Sequence, residues 1–257
     1  MTGVPILCYH AVSDDTGGPL APWAMAPGRF VEHLDALADA GYRPVALDDL
    51  VTAVHDRNEP APDDAVALTF DDGYADVAEN VWPLLAERGW PATLYLTTGP
   101  AGQTFLDRPV LDHRQVRELA DAGLSIGAHG HTHVALDTVA PSVADDEIRR
   151  SRDLVAEWTG RPVTAFAYPH GFHDRQVRAA VVAAGFAHAC AVKQALTSAD
   201  DDRFALARIM PTGEVTGEEL LVRLRSDRTP VARGGREALR TTAFRAVRRV
   251  RNRVVAA

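Results

Sequence analysis

The stretch AVALTFDDG, residues 65–73, carries the first clue to the fold. Its first six residues form a short apolar run that is typical of a strand buried on both faces. Two adjacent carboxylates, Asp71 and Asp72, follow the run, and Gly73 then permits a sharp turn. In parallel α/β folds, ligands bind at the carboxyl ends of the strands. The pair therefore predicts a functional site at the end of a buried strand.

Apolar runs of strand length alternate along the chain with stretches of helical period. The predicted strands are Pro5–His10, Ala65–Asp71, Ala92–Thr97, Leu124–Ala128, Thr164–Tyr168, Ala187–Val192 and Phe204–Ile209. The predicted helices are Phe30–Ala40, Leu47–His55, Val77–Arg88, Arg114–Ala122, Val143–Trp158 and Arg175–Ala184. Such alternation indicates βα units on a parallel sheet. About seven units in one run favour an α/β barrel, closed or nearly closed, over an open sheet.

The charge of the chain is distributed unevenly. The formal net charge is −8, but residues 228–257 hold nine arginines and a single acid, which leaves −16 for residues 1–227. An acidic body argues against nucleic acid as its ligand, because duplex binding needs a basic surface. We therefore predict one folded domain over residues 1–226 and a separate basic tail over residues 227–257.

The tail has an apolar stripe at helical spacing within an arginine-rich segment. The stripe consists of Leu239, Ala243, Val247, Val250 and Val254. Such a helix binds an anionic membrane surface or docks on the protein's own acidic body, and the sequence leaves both open. Residues 1–10 lack the regions of a secretion signal, and no segment approaches 18 consecutive apolar residues. We expect a cytoplasmic protein, with peripheral contact at the inner face of the membrane if the tail binds lipid.

A cluster of histidines follows another predicted strand. His129, His131 and His133 lie within five residues directly after Leu124–Ala128. On an extended chain all three would share a face, whereas on a helical turn only the first and the last would. Two imidazoles and one carboxylate form a three-ligand set that leaves open positions for water and substrate. One carboxylate of the pair at 71–72 would complete this set, and the other would be free to act as a base.

These motifs resemble those of a known family. TFDDG (69–73) followed by IGAHGHTH (126–133) is similar to the first two motifs of the NodB-like polysaccharide deacetylases, carbohydrate esterase family 4. FAYPHG (166–171) resembles the third motif, and ILCYHAV (6–12) resembles the start of many bacterial members. The resemblance implies a distorted (β/α) barrel of seven or eight units. It also implies metal-dependent removal of N-acetyl, sometimes O-acetyl, groups from sugars.

The resemblance also implies roles for individual residues. Asp71 becomes the general base, while Asp72, His129 and His133 become ligands of a divalent metal ion. The ion implied is Zn²⁺, with Co²⁺ and Ni²⁺ as the alternatives. The residues implied around the substrate are His170, through its backbone amide as oxyanion donor, Tyr168, Pro169 and Tyr74.

The sequence departs from the family pattern in two places. Many members have an arginine that orients the base where this chain has Ala167, and Arg208 is a candidate substitute, with an ordinary surface arginine as the alternative. The usual late histidine, a general acid, is absent because no histidine follows His188. Poly-N-acetylglucosamine deacetylases of the family have a circularly permuted order in which this histidine comes from the first strand. His10 fits that role, and a histidine that only fixes a loop is the alternative.

The sequence thus predicts a metal-dependent N-deacetylase that acts on an amino-sugar-containing glycan, glycolipid or glycoside. Two alternatives stay open: a metal-free amidohydrolase acting on a small ureide or imide, and a catalytically silent carbohydrate-binding barrel. Bound metal would exclude the first alternative and acetate release would exclude the second. Without an export signal, we expect a nucleotide-linked, lipid-linked or small-molecule substrate in preference to an extracellular polymer.

Overall fold

The computed structural model describes residues 3–233 of the chain, which contain one main parallel sheet. The strands are β1 (Ile6–Tyr9), β2 (Arg43–Pro44), β3 (Ala65–Phe70), β4 (Thr93–Leu96), β5 (Thr104–Phe105), β6 (Arg108–Pro109), β7 (Ser125–Ala128), β8 (Ala165–Ala167) and β9 (His188–Cys190). In the main sheet they follow the order β1-β3-β4-β7-β8-β9, and β2 pairs with the first part of β3. The short strands β5 and β6 form a separate antiparallel hairpin.

An extended segment joins the two edges of the sheet. Leu206 pairs in parallel with Cys190 of β9, and Ile209 pairs in parallel with Leu7 of β1. The backbone amide of Cys8 donates to the carbonyl of Ile209 over 2.9 Å. The segment makes single bridges in place of a continuous ladder, so the ring closes irregularly. The predicted α/β fold, a distorted (β/α) barrel, is confirmed.

Helices surround the ring. They are α1 (Pro27–Asp39), α2 (Leu47–Val51), α3 (Trp82–Glu87), α4 (His113–Asp121), α5 (Pro141–Thr159), α6 (Arg175–Ala183) and α7 (Gly217–Arg225). Short π-helical segments extend α2 to Asp56 and begin at Val77 ahead of α3. Helix α7 was not predicted from the sequence, although Thr216 and Glu219 form a capping box at its start. Among the described residues, no helix combines the length and the hydropathy that a membrane crossing requires.

Alternate strand residues face two hydrophobic layers. The outer layer packs the strands against the helices, as in the contact of Phe70 with Phe30 of α1. The inner layer has small side chains such as Ala67 and Ala167 inside the ring, together with the large ring of Tyr95. These small residues leave room for one long polar side chain, Arg208, which is fully buried and lies over the Tyr95 ring.

The predicted tail begins inside the described part of the chain. The Leu196 amide donates to the carbonyl of Pro230, and the Ala232 amide donates to the carbonyl of Leu196, both over 2.8 Å. Residues 230–232 therefore lie against a loop of the barrel. The apolar stripe at 239–254 lies outside the described residues, and the boundary at 226/227 stays a prediction.

Candidate active site

The carboxyl ends of the strands bring the predicted residues to one edge of the barrel. Asp71 follows β3, His10 follows β1 and His129 follows β7. Gly73 makes the turn after the acid pair with φ of 87°, and a Cβ at this position would lie 2.2 Å from Leu96 Cδ1. Only glycine fits such a turn at that distance from the neighbouring strand.

Three side chains converge on a single point at this edge. His129 Nε2 lies 3.5 Å and His133 Nε2 lies 3.2 Å from Asp72 Oδ1. Asp72 Oδ1 is buried and makes no hydrogen bond with any described residue, because these contacts lack the geometry of one. A buried carboxylate oxygen without a partner is costly unless a cation occupies the site.

The imidazole of His129 is oriented as a metal ligand requires. Its Nδ1 lies 2.8 Å from the carbonyl of Ala167, which can only accept, so this nitrogen carries the proton. The lone pair of Nε2 then faces Asp72. Burial lowers the pKa of His129 to about 4, with the nearby carboxylates opposing the shift, so the ring is neutral at physiological pH. Such a contact to the second ring nitrogen is the usual arrangement around metal-ligating histidines.

The third histidine of the cluster faces elsewhere. His131 Nδ1 lies 2.8 Å from Thr98 Oγ1, away from the carboxylate. His133 has φ of 63° and Asp72 has φ of 74°, both in the left-handed region that few residues other than glycine adopt. The surrounding structure holds two of the three converging side chains in this unfavourable backbone conformation, which is common at functional sites. The donor atoms of Asp72, His129 and His133 fit a divalent cation, since all lie within 4.8 Å of one another.

Asp71 is held by an arginine from the far end of the chain. Arg208 Nη1 donates to Asp71 Oδ1 and Nη2 donates to Oδ2, each over 2.7 Å. Arg208 is 0% exposed, so the alternative of an ordinary surface arginine is wrong. Burial by itself would raise the pKa of Asp71, but Arg208, followed by His129, lowers it to about 2. Asp71 is therefore ionised and fixed in orientation.

A second group of ligand-type atoms lies beside the first. Donor atoms of Cys8, His10 and Asp71 also fall within 4.8 Å of one another. Both oxygens of Asp71 already accept from Arg208, and the Cys8 thiol donates to Oδ2 over 3.4 Å. The guanidinium supplies the positive charge there, so this group fits a cation less well than the set around Asp72.

His10 stands at the mouth of the site. It is partly buried, and its Nδ1 has no hydrogen-bond partner within residues 3–233. Its ring lies close enough to Asp71 and Asp72 to interact electrostatically with both carboxylates. The first strand thus brings a histidine beside the two carboxylates, and both the permuted motif order and the role of His10 as an acid stay predictions.

This arrangement can be compared with known proteins. The family model described as "Polysaccharide deacetylase" matches residues 58–189, which is about half of the chain and contains both acids and the histidine cluster. The chain belongs to the polysaccharide deacetylase family.

Individual relatives agree with this family assignment. The chain is 26% identical over 214 residues to YxkH of Bacillus subtilis, which is named for the same family, covering 83% of this chain and 73% of that protein. It is 25% identical over 163 residues to the poly-β-1,6-N-acetyl-D-glucosamine N-deacetylase of Staphylococcus epidermidis, covering 60% and 56%. The chain therefore spans little more than half of that enzyme's length. The solved structure of the Streptococcus pyogenes deacetylase PplD, in complex with acetate, superposes with a TM-score of 0.78 at 24% identity, over 87% of this chain and 99% of PplD.

The deacetylase's third motif lies against the group formed by Asp72, His129 and His133. Pro169–Gly171 forms one helical turn in which His170 has φ of 59°, and the His170 ring centroid lies 4.4 Å from that of His133. The oxyanion role of the His170 amide stays a prediction. Pro169 and Tyr168 are buried, and the Tyr168 hydroxyl donates to the Phe204 carbonyl over 2.8 Å. The Tyr168 side chain therefore supports the motif from the core, and the predicted contacts of Tyr168 and Pro169 with substrate stay predictions.

Tyr74 lies beneath the acid pair. Its side chain is fully buried, and its hydroxyl makes no hydrogen bond with a described residue. Burial, and then the negative charge of Asp72, raises the pKa of the phenol well above its usual value. Tyr74 is therefore a neutral donor near the Asp72 carboxylate, and its contact with substrate stays a prediction.

Two parts of the site were not predicted from the sequence. Glu147 of α5 accepts from the backbone amides of His131 and Thr132 over 2.8 and 2.7 Å, and from the Thr132 hydroxyl over 2.7 Å. It thereby holds the loop that carries the candidate metal ligands His129 and His133. The β5–β6 hairpin is the second part, because its Phe105 packs edge-on against His133 at 5.2 Å.

Proposed function

We propose that this protein is a metal-dependent carbohydrate N-deacetylase that hydrolyses the acetamide of an N-acetyl amino sugar. The observation that carries the proposal is that two adjacent carboxylates, Asp71 and Asp72, have different partners. Asp71 is paired with Arg208, whereas Asp72 faces two histidine nitrogens and keeps an oxygen without a hydrogen bond. Environments that separate two neighbouring acids in this way are typical of divided catalytic roles.

The chain's own residues supply most of the reaction. Asp72, His129 and His133 would hold the cation, which when bound polarises a carbonyl and makes water more acidic. Asp71 is ionised and oriented, and it takes a proton from the attacking water as that oxygen bonds to the acetyl carbon. Arg208 remains charged throughout and keeps the Asp71 carboxylate in a fixed orientation.

Cleavage of the carbon–nitrogen bond requires a second proton transfer. An amine is a poor leaving group, so the nitrogen must receive a proton as the bond breaks. His10 is the candidate donor, because it lies beside Asp71 and Asp72 at the same edge. The products are acetate and a free amino sugar. An ester would not need this acid, and for this reason we favour N-deacetylation over O-deacetylation.

The acceptor is proposed from chemistry and from the names of relatives. The Staphylococcus epidermidis relative is named for a polymer of N-acetylglucosamine. We extend the same monosaccharide to this chain, in nucleotide-linked, lipid-linked or oligomeric form.

An acetate-release screen tests the proposal. Purified protein with measured metal content is incubated with a nucleotide-linked N-acetylglucosamine, an N-acetylglucosamine glycolipid, and β-1,4 and β-1,6 oligomers. Acetate should form with at least one of them, and Asp71→Asn should abolish it without removing the ion. Acetate release by fully chelated protein would favour the metal-free alternative. Sugar binding without acetate release would favour a silent barrel.

Membrane contact through the basic tail is a further part of the proposal. Residues 230–232 pair with the barrel, so a deletion should begin after them. Removing residues 234–257 should abolish sedimentation with anionic liposomes and leave hydrolysis of a soluble substrate intact. If the full-length protein does not sediment, docking of the tail on the acidic body is the better account. The cytoplasmic location stays a prediction that cell fractionation tests.

A further inference from the structure

An exposed tryptophan stands beside the catalytic edge. Five large hydrophobic side chains are exposed among the described residues: Trp23, Leu106, Val143, Val182 and Val222. The three valines lie on helices, whereas Trp23 and Leu106 lie on connections that follow strands β1 and β4. Trp23 is 37% exposed, and its ring centroid lies 6.2 Å from that of His10 at an angle of 36°. The side chain beside the proposed acid is therefore an indole that keeps more than a third of its surface open to solvent.

The segment that carries this indole is held firmly. The Met25 amide donates to the Ala11 carbonyl, and the Ser13 amide donates to the Met25 carbonyl, both over 2.9 Å. The Trp23 amide donates to the Leu20 carbonyl over 2.8 Å, and Leu20 and Met25 are both buried.

The loop at Gly213 packs closely against this segment and restrains it further. A Cβ at Gly213 would lie 2.1 Å from the Ala24 carbonyl oxygen, so the chain at 213 packs directly against the residue after Trp23. An aromatic side chain on such a backbone is preorganised, and a ligand that binds it loses little through ordering of the loop.

We propose that Trp23 forms a saccharide subsite that stacks on the pyranose ring bearing the scissile acetamide. This inference rests on the proposed function. The amide nitrogen must come within hydrogen-bond reach of His10, roughly 3 Å. The sugar carbon bonded to that nitrogen, and the ring it belongs to, then lie next to His10. An indole centred 6.2 Å from the His10 ring is at stacking distance from that same sugar ring.

The face of a pyranose ring and the face of an indole are chemically complementary. One face of a pyranose presents several C–H groups, which are slightly positive, and the face of an indole is negative. The indole N–H adds a donor for a ring hydroxyl. A tryptophan at this place therefore distinguishes a cyclic sugar amide from an acyclic one that has the same scissile bond.

A comparison of two acetamides tests the subsite. N-acetylglucosamine oligomers carry the ring, and N-acetylethanolamine has the same amide without it. We expect Trp23→Ala to lower kcat/KM for the oligomer about tenfold, mainly through KM, and to leave the acyclic amide unchanged. Trp23→Phe should keep most of the wild-type value, because a smaller aromatic face remains. Val222→Ala, which removes an exposed side chain on α7, is the matched control and should change neither substrate.

A binding measurement separates this inference from the proposed function. The trimer of N-acetylglucosamine is titrated into wild-type and Trp23→Ala protein, and binding is followed by calorimetry. If the wild type binds the trimer through Trp23 but releases no acetate from the trimer or from any other substrate of the screen, the sugar-binding site stands and the proposed activity falls. If Trp23→Ala binds and hydrolyses the oligomer as the wild type does, the subsite is refuted. A wild type that neither binds nor cleaves the oligomer refutes the subsite, and the nucleotide-linked and lipid-linked substrates of the screen then decide the proposed function.

Discussion

Replacing Arg208 with methionine should damage both stability and activity. The change removes two hydrogen bonds of 2.7 Å to Asp71 and leaves that carboxylate buried without its main countercharge. Removing one partner of a buried ion pair costs about 3–5 kcal/mol. For a domain of this size each kcal/mol lowers Tm by about 2–4 °C, so the expected fall is about 6–20 °C. The proposed base also loses its orientation, and acetate release should fall by up to roughly 10²–10⁴-fold, the range for a positioned base.

A double-mutant cycle isolates the pair from general damage. Asp71→Asn and Arg208→Met should each destabilise the protein, because each leaves one buried group unpaired. The combined variant removes both charges and should recover much of the stability, which gives a coupling energy of about 2–3 kcal/mol. Arg208→Lys retains the charge but not the two-pronged contact, so it should lose more activity than stability.

The measurements are chemical denaturation and acetate release, both at one fixed concentration of added metal ion, because an ion that binds only the folded state raises Tm. The reasoning would be refuted if the losses of stability in the two single variants simply added in the double variant. It would also be refuted if Arg208→Met kept the wild-type Tm and turnover.

Four further predictions follow from the geometry. Glu147→Ala leaves the amides of His131 and Thr132 without their acceptor and should weaken metal binding roughly 10–100-fold, measured by chelator competition. Unchanged affinity would mean that the loop at 129–133 keeps its conformation without Glu147. His131→Ala should retain the ion in metal analysis, since this ring faces Thr98. His10→Ala should reduce amide hydrolysis roughly 10²–10⁴-fold and spare an activated acetyl ester, and equal losses on both would argue against an acid role. Burial by itself would lower the pKa of His188, but the hydrogen bond to Asp48 outweighs burial and raises that pKa to about 9. The pair should therefore stabilise the folded protein fully below pH about 6.5, and this stabilisation should be lost as the pH rises through about 9. Asp48→Asn should flatten that dependence of Tm on pH.

Much of the barrel and part of the site could be predicted because the relevant signals are local. The strand at 65–70 has a continuous apolar run, and the residues after it inherit their position at the edge from the strand itself. The same holds for His129, which follows β7 directly. The choice of His129 and His133 over His131 could not be made from spacing, because it depends on the left-handed conformation at 133 and on the partner of His131.

The hairpin at 104–109 has a weaker local signal. Its turn residues, Leu106 and Asp107, have φ of 48° and 66°, where the pattern expected for such a turn is asparagine or aspartate followed by glycine. Tertiary contacts stabilise it instead, through the pairing of Val110 with Tyr74 and the packing of Phe105 against His133.

By itself, the sequence determined the order of βα units, the acid pair and the histidine cluster, because each is encoded within a few neighbouring residues. Only the tertiary structure decided which distant side chains serve them. Arg208 is 137 residues from Asp71, and it reaches that acid because the segment at 206–209 closes the ring beside β1. Glu147 holds the ligand loop because α5 packs across β7. Burial turns these two ordinary charged residues into structural parts of the site, and burial depends on the closing of the whole barrel.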